Sequence, residues 1–329
     1  MDKVKWGIIG CGDVTEVKSG PAFNAVNDSE LVAVMRRNAA AAADYAARHG
    51  VPRWYADAQR LIDDPEVNAV YVATPPGSHA EYAIRAIEAG KPVYVEKPMA
   101  RNAGECEAML NASAKYCVPV YVAYYRRMLP SFLKIRELLE NGAIGTPYLI
   151  RTALHFPPRQ GDHNHGNPPW RLQPEISGGG YFVDLAAHTL DYLIYLMGRP
   201  VRASSITANR GGLYEVEDTL AATILFENGV LCGGTWCFAT PHEAICDHTE
   251  IIGERGSVSF STFDNANVVL SASGGKEVFH FSHPATIQMP LIRTVVEAIL
   301  GRGDCPSTGI TGIETSRLMD MILDPRNRT

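Results

Sequence analysis

The chain has 329 residues, of which 46% are hydrophobic and 20% are charged, a balance typical of a globular protein with room for two domains. The formal net charge of -6 disfavours binding to nucleic acid or to an anionic membrane surface, because both require a basic patch. No apolar run approaches the roughly 20 residues that a membrane-spanning helix needs.

The amino-terminal residues lead directly into a strand-like segment, residues 4–9. This beginning lacks the charged region, apolar stretch and cleavage site of a secretory signal. We therefore expect the mature protein to begin here and to remain in the cytoplasm.

The first part of the chain alternates short apolar strands with helices. Strands are predicted over residues 4–9, 31–35, 67–73, 93–95 and 118–123, and helices over residues 39–49 and 78–89. Strands separated by helices form right-handed βαβ units, whose strands are parallel. We therefore predict that residues 1–123 form an α/β domain with a doubly wound parallel sheet.

The alternation of strands and helices ends after residue 123, and later strands follow one another with few helices between them. A tight turn at Asn228-Gly229 predicts a hairpin, and successive strands between residues 203 and 281 indicate an antiparallel or mixed sheet. We predict an α+β domain over residues 124–329 and leave open whether its last helix packs on the first domain. Helices are predicted over residues 131–140, 181–197, 285–300 and 309–323.

A glycine loop follows the first strand. Gly10 permits a tight turn, and Gly12 lets the backbone approach a pyrophosphate at a helix amino terminus formed by Asp13 and Val14. The third glycine of the dinucleotide fingerprint is replaced by Thr15. The alternative is an ordinary glycine turn, but the strand before it and the helix after it favour dinucleotide binding.

The second strand ends in two arginines rather than in an acid. An Asp or Glu in this region would bind the ribose 2′-hydroxyl of NAD(H), whereas Arg36 and Arg37 suit the 2′-phosphate of NADP(H). NADP(H) is therefore favoured and NAD(H) remains possible. The alternative is that both arginines are solvated loop charges.

The apolar strand 93–95 ends abruptly in Glu96-Lys97-Pro98. Ligands of parallel α/β sheets bind at the carboxyl ends of the strands, so Lys97 is a candidate for chemistry.

The helix after Gly178-Gly179-Gly180 carries Asp184 and His188 one turn apart. A carboxylate at this spacing can orient the imidazole and raise its pKa, as a general acid or base requires. The alternative is an acid that favours the helix dipole beside a hydrogen-bonded core histidine.

The loop between residues 157 and 169 is polar and could frame a substrate pocket or be an ordinary surface loop. His163 and His165 have no partner pair at metal-ligand spacing, so no metal site is expected. The seven cysteines are scattered and include no CxxC pair, which favours a reduced compartment.

Several of these motifs together resemble the Gfo/Idh/MocA oxidoreductase family over essentially the whole chain. They occur in family order: Gly10-x-Gly12, Thr74-Pro75-Pro76-x-x-His79, Glu96-Lys97-Pro98 and Gly178-Gly179-Gly180-x-x-x-Asp184-x-x-x-His188. The resemblance implies an NAD(P)-binding Rossmann domain followed by a domain with a large, mostly antiparallel open sheet. Family members often use the exposed face of that sheet to form dimers or tetramers, so the resemblance implies a homodimer or homotetramer.

The resemblance also implies roles for single residues. Lys97 and His188 match the catalytic pair and Asp184 matches the acid that accompanies them, and all three would also contact substrate. Tyr125 stands where the family usually has Asn, before Arg126 in the substrate segment, so any inherited amide contact there is in doubt. Cofactor-lining positions are matched by Thr74, Pro75, His79 and Glu96, with the pair Trp170 and Arg171 near nicotinamide and substrate.

These observations lead to one principal hypothesis, an NADP(H)-dependent oxidoreductase that acts on a hydroxyl or carbonyl carbon of a sugar, polyol or related small molecule. A second hypothesis is transient oxidation of a sugar that enables elimination, with retained cofactor. A third is a dinucleotide sensor without catalysis, which would need neither Lys97 nor His188.

Overall fold

A computed structural model describes residues 2–164, 166–264 and 266–329. The chain divides into two compact units between Tyr125 and Arg126, two residues beyond the predicted boundary. The second unit is not the continuous segment 124–329 that we predicted, because Pro284–Ile313 belongs to the first unit. Arg126–His283 and Glu314–Thr329 make up the second unit.

The first unit is built on a six-stranded parallel sheet with the order β3-β2-β1-β4-β5-β6. Its central strands are continuous apolar runs buried on both faces, as expected where helices cover both sides. The order reverses beside β1, which creates the crevice where doubly wound sheets bind ligands. The strands are β1 Val4–Ile9, β2 Ser29–Met35, β3 Arg53–Tyr55, β4 Ala69–Val72, β5 Val93–Val95 and β6 Val120–Val122.

Helices connect these strands. The alanine-rich helix begins where the Asn38 side chain accepts the N–H of Ala41 and ends at Gly50, whose φ of 65° suits a residue without a Cβ. The helices are α1 Asp13–Val17, α2 Gly20–Ala25, α3 Ala39–His49, α4 Ala58–Ile62, α5 His79–Glu88 and α6 Ala103–Tyr116.

The second unit contains an eight-stranded sheet with the order β14-β13-β12-β11-β7-β10-β9-β8. All neighbours are antiparallel except β7 and β10, and Gly229 closes the predicted hairpin with a φ of 86°. The strands are β7 Pro147–His155, β8 Pro200–Ala208, β9 Thr219–Phe226, β10 Leu231–Cys237, β11 Cys246–Gly253, β12 Gly256–Phe260, β13 Asn267–Ala272 and β14 Gly275–His280.

The helices of the second unit are α7 Pro130–Glu140, α8 Pro174–Ser177 and α9 Ala187–Met197. The predicted continuous helix over residues 181–197 is wrong in its first turns, because Phe182–Ala186 is π-helical. Single π turns inside helices often occur at functional sites. This one lies immediately before the helix that carries His188.

Two last helices are α10 Met289–Ile299 and α11 Gly309–Ile322. The segment before α11 belongs with the first unit because it pairs with β6: the Ser307 carbonyl accepts the N–H of Val122 at 3.0 Å. A Cβ on Gly312 would lie 2.7 Å from the Val122 side chain, so glycine permits the close approach. The division between the units falls within α11 itself.

Candidate active site

The glycine loop has the backbone that a dinucleotide site requires. Gly10 has a φ of 96°, and a Cβ there would lie 2.7 Å from the Thr74 side chain. A Cβ on Gly12 would make an ordinary contact, 3.9 Å from the Gly10 carbonyl oxygen, and the Thr15 hydroxyl donates to the Gly12 carbonyl at 2.7 Å. Asp13 and Val14 open α1, where backbone N–H groups have no intrahelical acceptor and suit a phosphate. These residues fit a dinucleotide cofactor.

Arg36 and Arg37 lie directly after β2 and are both exposed. Within the described residues, neither guanidinium pairs with a carboxylate at ion-pair distance. Asn38, which follows them, caps α3 instead of carrying a charge. The end of β2 therefore carries two exposed cations, and residues 36–38 include no acid.

The end of β4 is tied to the segment after β5 by His79. Its Nε2 lies 2.6 Å from the Thr74 carbonyl oxygen and its Nδ1 lies 3.0 Å from the Pro98 carbonyl oxygen. The ring is fully buried, which lowers the pKa of His79. Thr74 and Pro75 are half-buried, so His79 braces the backbone on which these two residues sit.

The carboxylate of Glu96 is held by three donors. The Tyr71 hydroxyl and the Gln288 side-chain amide each donate to Oε1 at 2.6 Å, and the Lys97 backbone N–H donates to Oε2 at 3.1 Å. Burial and the nearby Glu96 hold the pKa of Tyr71 well above its usual value, so Tyr71 is a neutral donor. This network fixes the backbone of half-buried Lys97 at the carboxyl end of β5.

In the second unit, Asp184 lies in the π turn and is nearly buried. Its Oδ2 accepts from Nε of Arg171 at 2.8 Å, and the Arg171 guanidinium lies 4.3 Å from the Trp170 ring centroid. A charge-assisted bond of this kind orients both partners. The structure thus joins the predicted pair Trp170–Arg171 to the predicted acid Asp184.

His188 is 5% exposed and lies at the second position of α9. Its ring and that of Phe263 form a T-shaped pair, with centroids 5.8 Å apart and planes at 84°. The guanidinium of Arg126, a predicted substrate residue, lies over the same phenyl ring at 4.8 Å. Phe263 is thus a neighbour of two predicted site residues, although no sequence motif identifies it.

The segment that resembles the family's substrate motif has two different arginines. Arg127 is buried and pairs with Asp191 through Nη2 to Oδ1 at 2.5 Å and Nε to Oδ2 at 2.9 Å. Asp191 also accepts from the Thr315 hydroxyl at 3.2 Å. These bonds join the segment before α7 to α9 and α11, all within the second unit. Tyr125, the neighbouring predicted substrate residue, is buried and is the last residue of this part of the first unit.

The polar loop between residues 157 and 169 contains one buried acid. The Asp162 carboxylate accepts from the Tyr181 hydroxyl at 2.6 Å and from the Arg159 backbone at 2.8 Å, which fixes the loop. His163 and Asn164 are exposed, and His165 lies outside the described residues. Asp162 therefore has a structural role and is not an exposed hydroxyl-binding group.

The site residues fall into two groups. Of the predicted residues, Gly10 through Lys97 all belong to the first unit, and Arg126, Trp170, Arg171, Asp184 and His188 belong to the second. Among the residues that the structure describes, no cluster of His, Cys, Asp and Glu could hold a metal ion. The same part of the chain has no helix that is both long and apolar enough to cross a membrane.

Two family models match the chain. The model of the Gfo/Idh/MocA oxidoreductase family with an NAD-binding Rossmann fold matches residues 4–124. The model of the Gfo/Idh/MocA carboxy-terminal domain matches residues 132–259. Together they cover the whole first sheet and the strands of the second sheet from β7 into β12.

Individual proteins support the same comparison. The chain is 40% identical over 321 residues to Oxidoreductase P35 of Formosa agariphila, which covers 97% of this chain and 98% of that protein. It is 28% identical to a 1,5-anhydro-D-fructose reductase of Ensifer adhaerens, over 94% of this chain and 92% of that protein. A levoglucosan dehydrogenase structure in complex with NADH has a TM-score of 0.88 at 24% identity, over 98% of this chain and 96% of that one.

Proposed function

Since this chain belongs to the Gfo/Idh/MocA oxidoreductase family, we propose that it transfers a hydride between NADP(H) and a hydroxyl-bearing carbon of a sugar, polyol or related small molecule. Relatives named as sugar and inositol dehydrogenases or reductases support the substrate class. The finer assignment, NADP(H) rather than NAD(H), comes from the arginines after β2.

The observation that carries the proposal is the placement of Lys97. Its backbone is held by Glu96 at the carboxyl end of β5, the edge at which parallel sheets bind their ligands. An ammonium group held there can donate to a substrate oxygen and stabilise negative charge that develops on it. Tyr71 and Gln288 fix the Glu96 carboxylate, and that carboxylate in turn fixes the backbone from which the Lys97 side chain extends.

The family resemblance assigns the proton transfer of the proposed reaction to Lys97 and His188. When bound, the nicotinamide accepts or supplies the hydride. During oxidation the pair removes the hydroxyl proton and stabilises the oxygen that loses it, and during reduction the pair returns the proton. Asp184, four residues before His188, is the acid that accompanies them in the resemblance, and Arg171 holds its carboxylate in one orientation.

A turnover screen tests the proposal. Purified protein is incubated with NADPH or NADP+ and a panel of aldoses, ketoses, polyols and anhydro sugars, while absorbance at the nicotinamide band is followed. Stoichiometric cofactor turnover with one class supports the proposal. Glycoside cleavage without net NADPH change would instead indicate redox-assisted elimination, and cofactor binding without any turnover would indicate a sensor.

The cofactor preference can be tested at the end of β2. In an Arg36→Glu/Arg37→Glu variant the Kd for NADPH should rise about ten- to a hundredfold, because charge-assisted bonds to the 2′-phosphate are replaced by repulsion. The Kd for NADH should change little. Fluorescence titration measures both, with Arg60→Glu, an exposed arginine of α4, as the control. Wild-type protein that binds NADH more tightly than NADPH would overturn the preference.

We also propose that the open face of the second unit's sheet forms a homo-oligomer. Exposed apolar side chains of neighbouring strands lie side by side there, with Leu231 on β10 paired to Leu149 on β7, and Ile206 is exposed on β8. Neighbouring exposed apolar residues on one face are typical of an interface.

A single charged substitution in the proposed interface tests whether the protein forms an oligomer. A Leu231→Glu variant should sediment as a monomer, because a two-fold interface buries the introduced carboxylate twice. Sedimentation velocity measures the mass, and Ile310→Glu, an exposed residue of α11, is the control. Monomeric wild-type protein at micromolar concentration would contradict the proposal.

A further inference from the structure

We infer that a segment with no recognisable motif, Ser261-Thr262-Phe263 after β12, positions His188 and Arg126 for the reaction. The inference rests on the proposed function, because it assigns a purpose to contacts with two of its candidate residues. Phe263 and Thr262 are positioning residues in this view and do not take part in the chemistry.

The segment contacts α9 at two consecutive residues. The Phe263 ring meets the His188 ring edge to face, an arrangement that aromatic rings prefer. The Thr262 hydroxyl lies 2.7 Å from the hydroxyl of Thr189, and both threonines are buried. The first contact fixes the plane of the imidazole and the second fixes the backbone that carries it.

The segment is itself held by a single carboxylate. Oδ1 of Asp247 accepts the N–H of Thr262 at 2.9 Å, and Oδ2 accepts the N–H of Phe263 at 2.7 Å. The Ser261 hydroxyl donates to the Asp247 carbonyl at 2.7 Å. Charge-assisted bonds to consecutive amides are short and directional, so Asp247 anchors the segment to β11.

Arg126 completes the arrangement from the other side. Its Nε donates to the Thr262 carbonyl at 2.9 Å, and its guanidinium lies over the face of Phe263 at 4.8 Å. A guanidinium over an aromatic face gains a cation–π attraction. The Phe263 ring therefore contacts two predicted site residues: its face supports the Arg126 guanidinium, and it also packs against the His188 imidazole.

These contacts exceed what ordinary packing requires. Phe263 is only half-buried, so removal of its ring from water does not by itself explain why a carboxylate binds its N–H while a guanidinium and a hydroxyl bind the adjacent Thr262. Catalytic groups need neighbours that hold them in the productive geometry, and a displacement of about 1 Å can lower the rate about a hundredfold.

The test compares two substitutions of the ring. Phe263→Leu should lower kcat about ten- to a hundredfold with an unchanged Kd for NADPH, because the imidazole and guanidinium lose their common support. Phe263→Tyr should retain most of the activity. Phe279→Leu, an aromatic residue of β14 in the same unit, should keep wild-type kcat. Thr262→Val, which removes only the hydroxyl contact with Thr189, provides a second variant should Phe263→Leu fold poorly.

A substrate-free readout accompanies the kinetics. In protein with 13C-labelled histidine, the NMR signal that disappears in His188→Ala identifies His188, and this signal should move in Phe263→Leu but not in Phe279→Leu. An unmoved signal together with wild-type kcat in Phe263→Leu would overturn the inference.

The same variants separate this inference from the proposed function. If His188→Ala keeps full turnover, the assigned role of His188 fails whatever Phe263→Leu does. If His188→Ala is inactive and Phe263→Leu is fully active, the function stands and the positioning role fails. If Phe263 acts through His188, the loss caused by Phe263→Leu should be smaller in a His188→Ala background than in wild type, and the loss that remains there reports the support of Arg126.

Discussion

A Lys97→Met variant should lose about a thousandfold in kcat and still bind NADPH with nearly the wild-type Kd. Methionine keeps the length and apolar stem of lysine but removes the ammonium group. Proton transfer and stabilisation of a developing oxyanion by one positioned group each contribute about a hundred- to a thousandfold or more. The Glu96 network involves the backbone of Lys97, so it should survive the substitution.

Steady-state kinetics on the best substrate of the screen and fluorescence titration with NADPH measure the two quantities. Lys115→Met, an exposed lysine of α6, is the matched control and should behave as wild type. Full turnover in Lys97→Met with intact NADPH binding would remove Lys97 from the catalytic pair. A parallel loss of NADPH binding would indicate that Lys97 holds the cofactor instead.

The parallel sheet of the first unit is readable from the sequence for a physical reason. Strands buried on both faces are continuous apolar runs, as in β4 and β5, and helices with clear caps separate them. The edge strand β3 was not predicted, because its three residues include exposed Trp54 and form no apolar run. The glycine loop is also predictable from the sequence, because glycine adopts a positive φ such as that of Gly10 without the steric cost that other residues incur.

The residues that hold the candidate site residues in place could not be predicted from the sequence, because their contacts join distant parts of the chain. Gln288 lies 192 positions after Glu96, and neither its type nor its spacing marks it. Phe263 belongs to no motif, and nothing in the sequence around it distinguishes it from other aromatic residues of the chain. The π turn around Asp184 also escapes detection, since its apolar spacing resembles that of an α-helix. Contacts of this kind depend on tertiary packing, which local patterns do not encode.

The buried pair Arg127–Asp191 leads to the largest expected effect on stability. Arg127→Met should destabilise the second unit by about 3–5 kcal/mol, because it leaves the Asp191 carboxylate buried without its cation. A loss of this size lowers the unfolding midpoint by roughly 10 °C. Differential scanning calorimetry measures the change. Lys134→Met, which breaks a surface ion pair in α7, should change stability by less than about 1 kcal/mol.

The pH dependence of that deficit separates a charge effect from lost packing. Burial raises the pKa of Asp191 and the Arg127 guanidinium lowers it, so removal of Arg127 should raise this pKa further. Above the raised pKa the carboxylate is charged and uncompensated, and the deficit of Arg127→Met is complete. As the pH falls through that pKa, the buried carboxyl becomes neutral and the deficit should shrink. A double variant, Arg127→Met/Asp191→Leu, should recover most of the loss at neutral pH, since an apolar pair replaces the buried charges. A deficit that is independent of pH and persists in the double variant would show that Arg127 acts through packing.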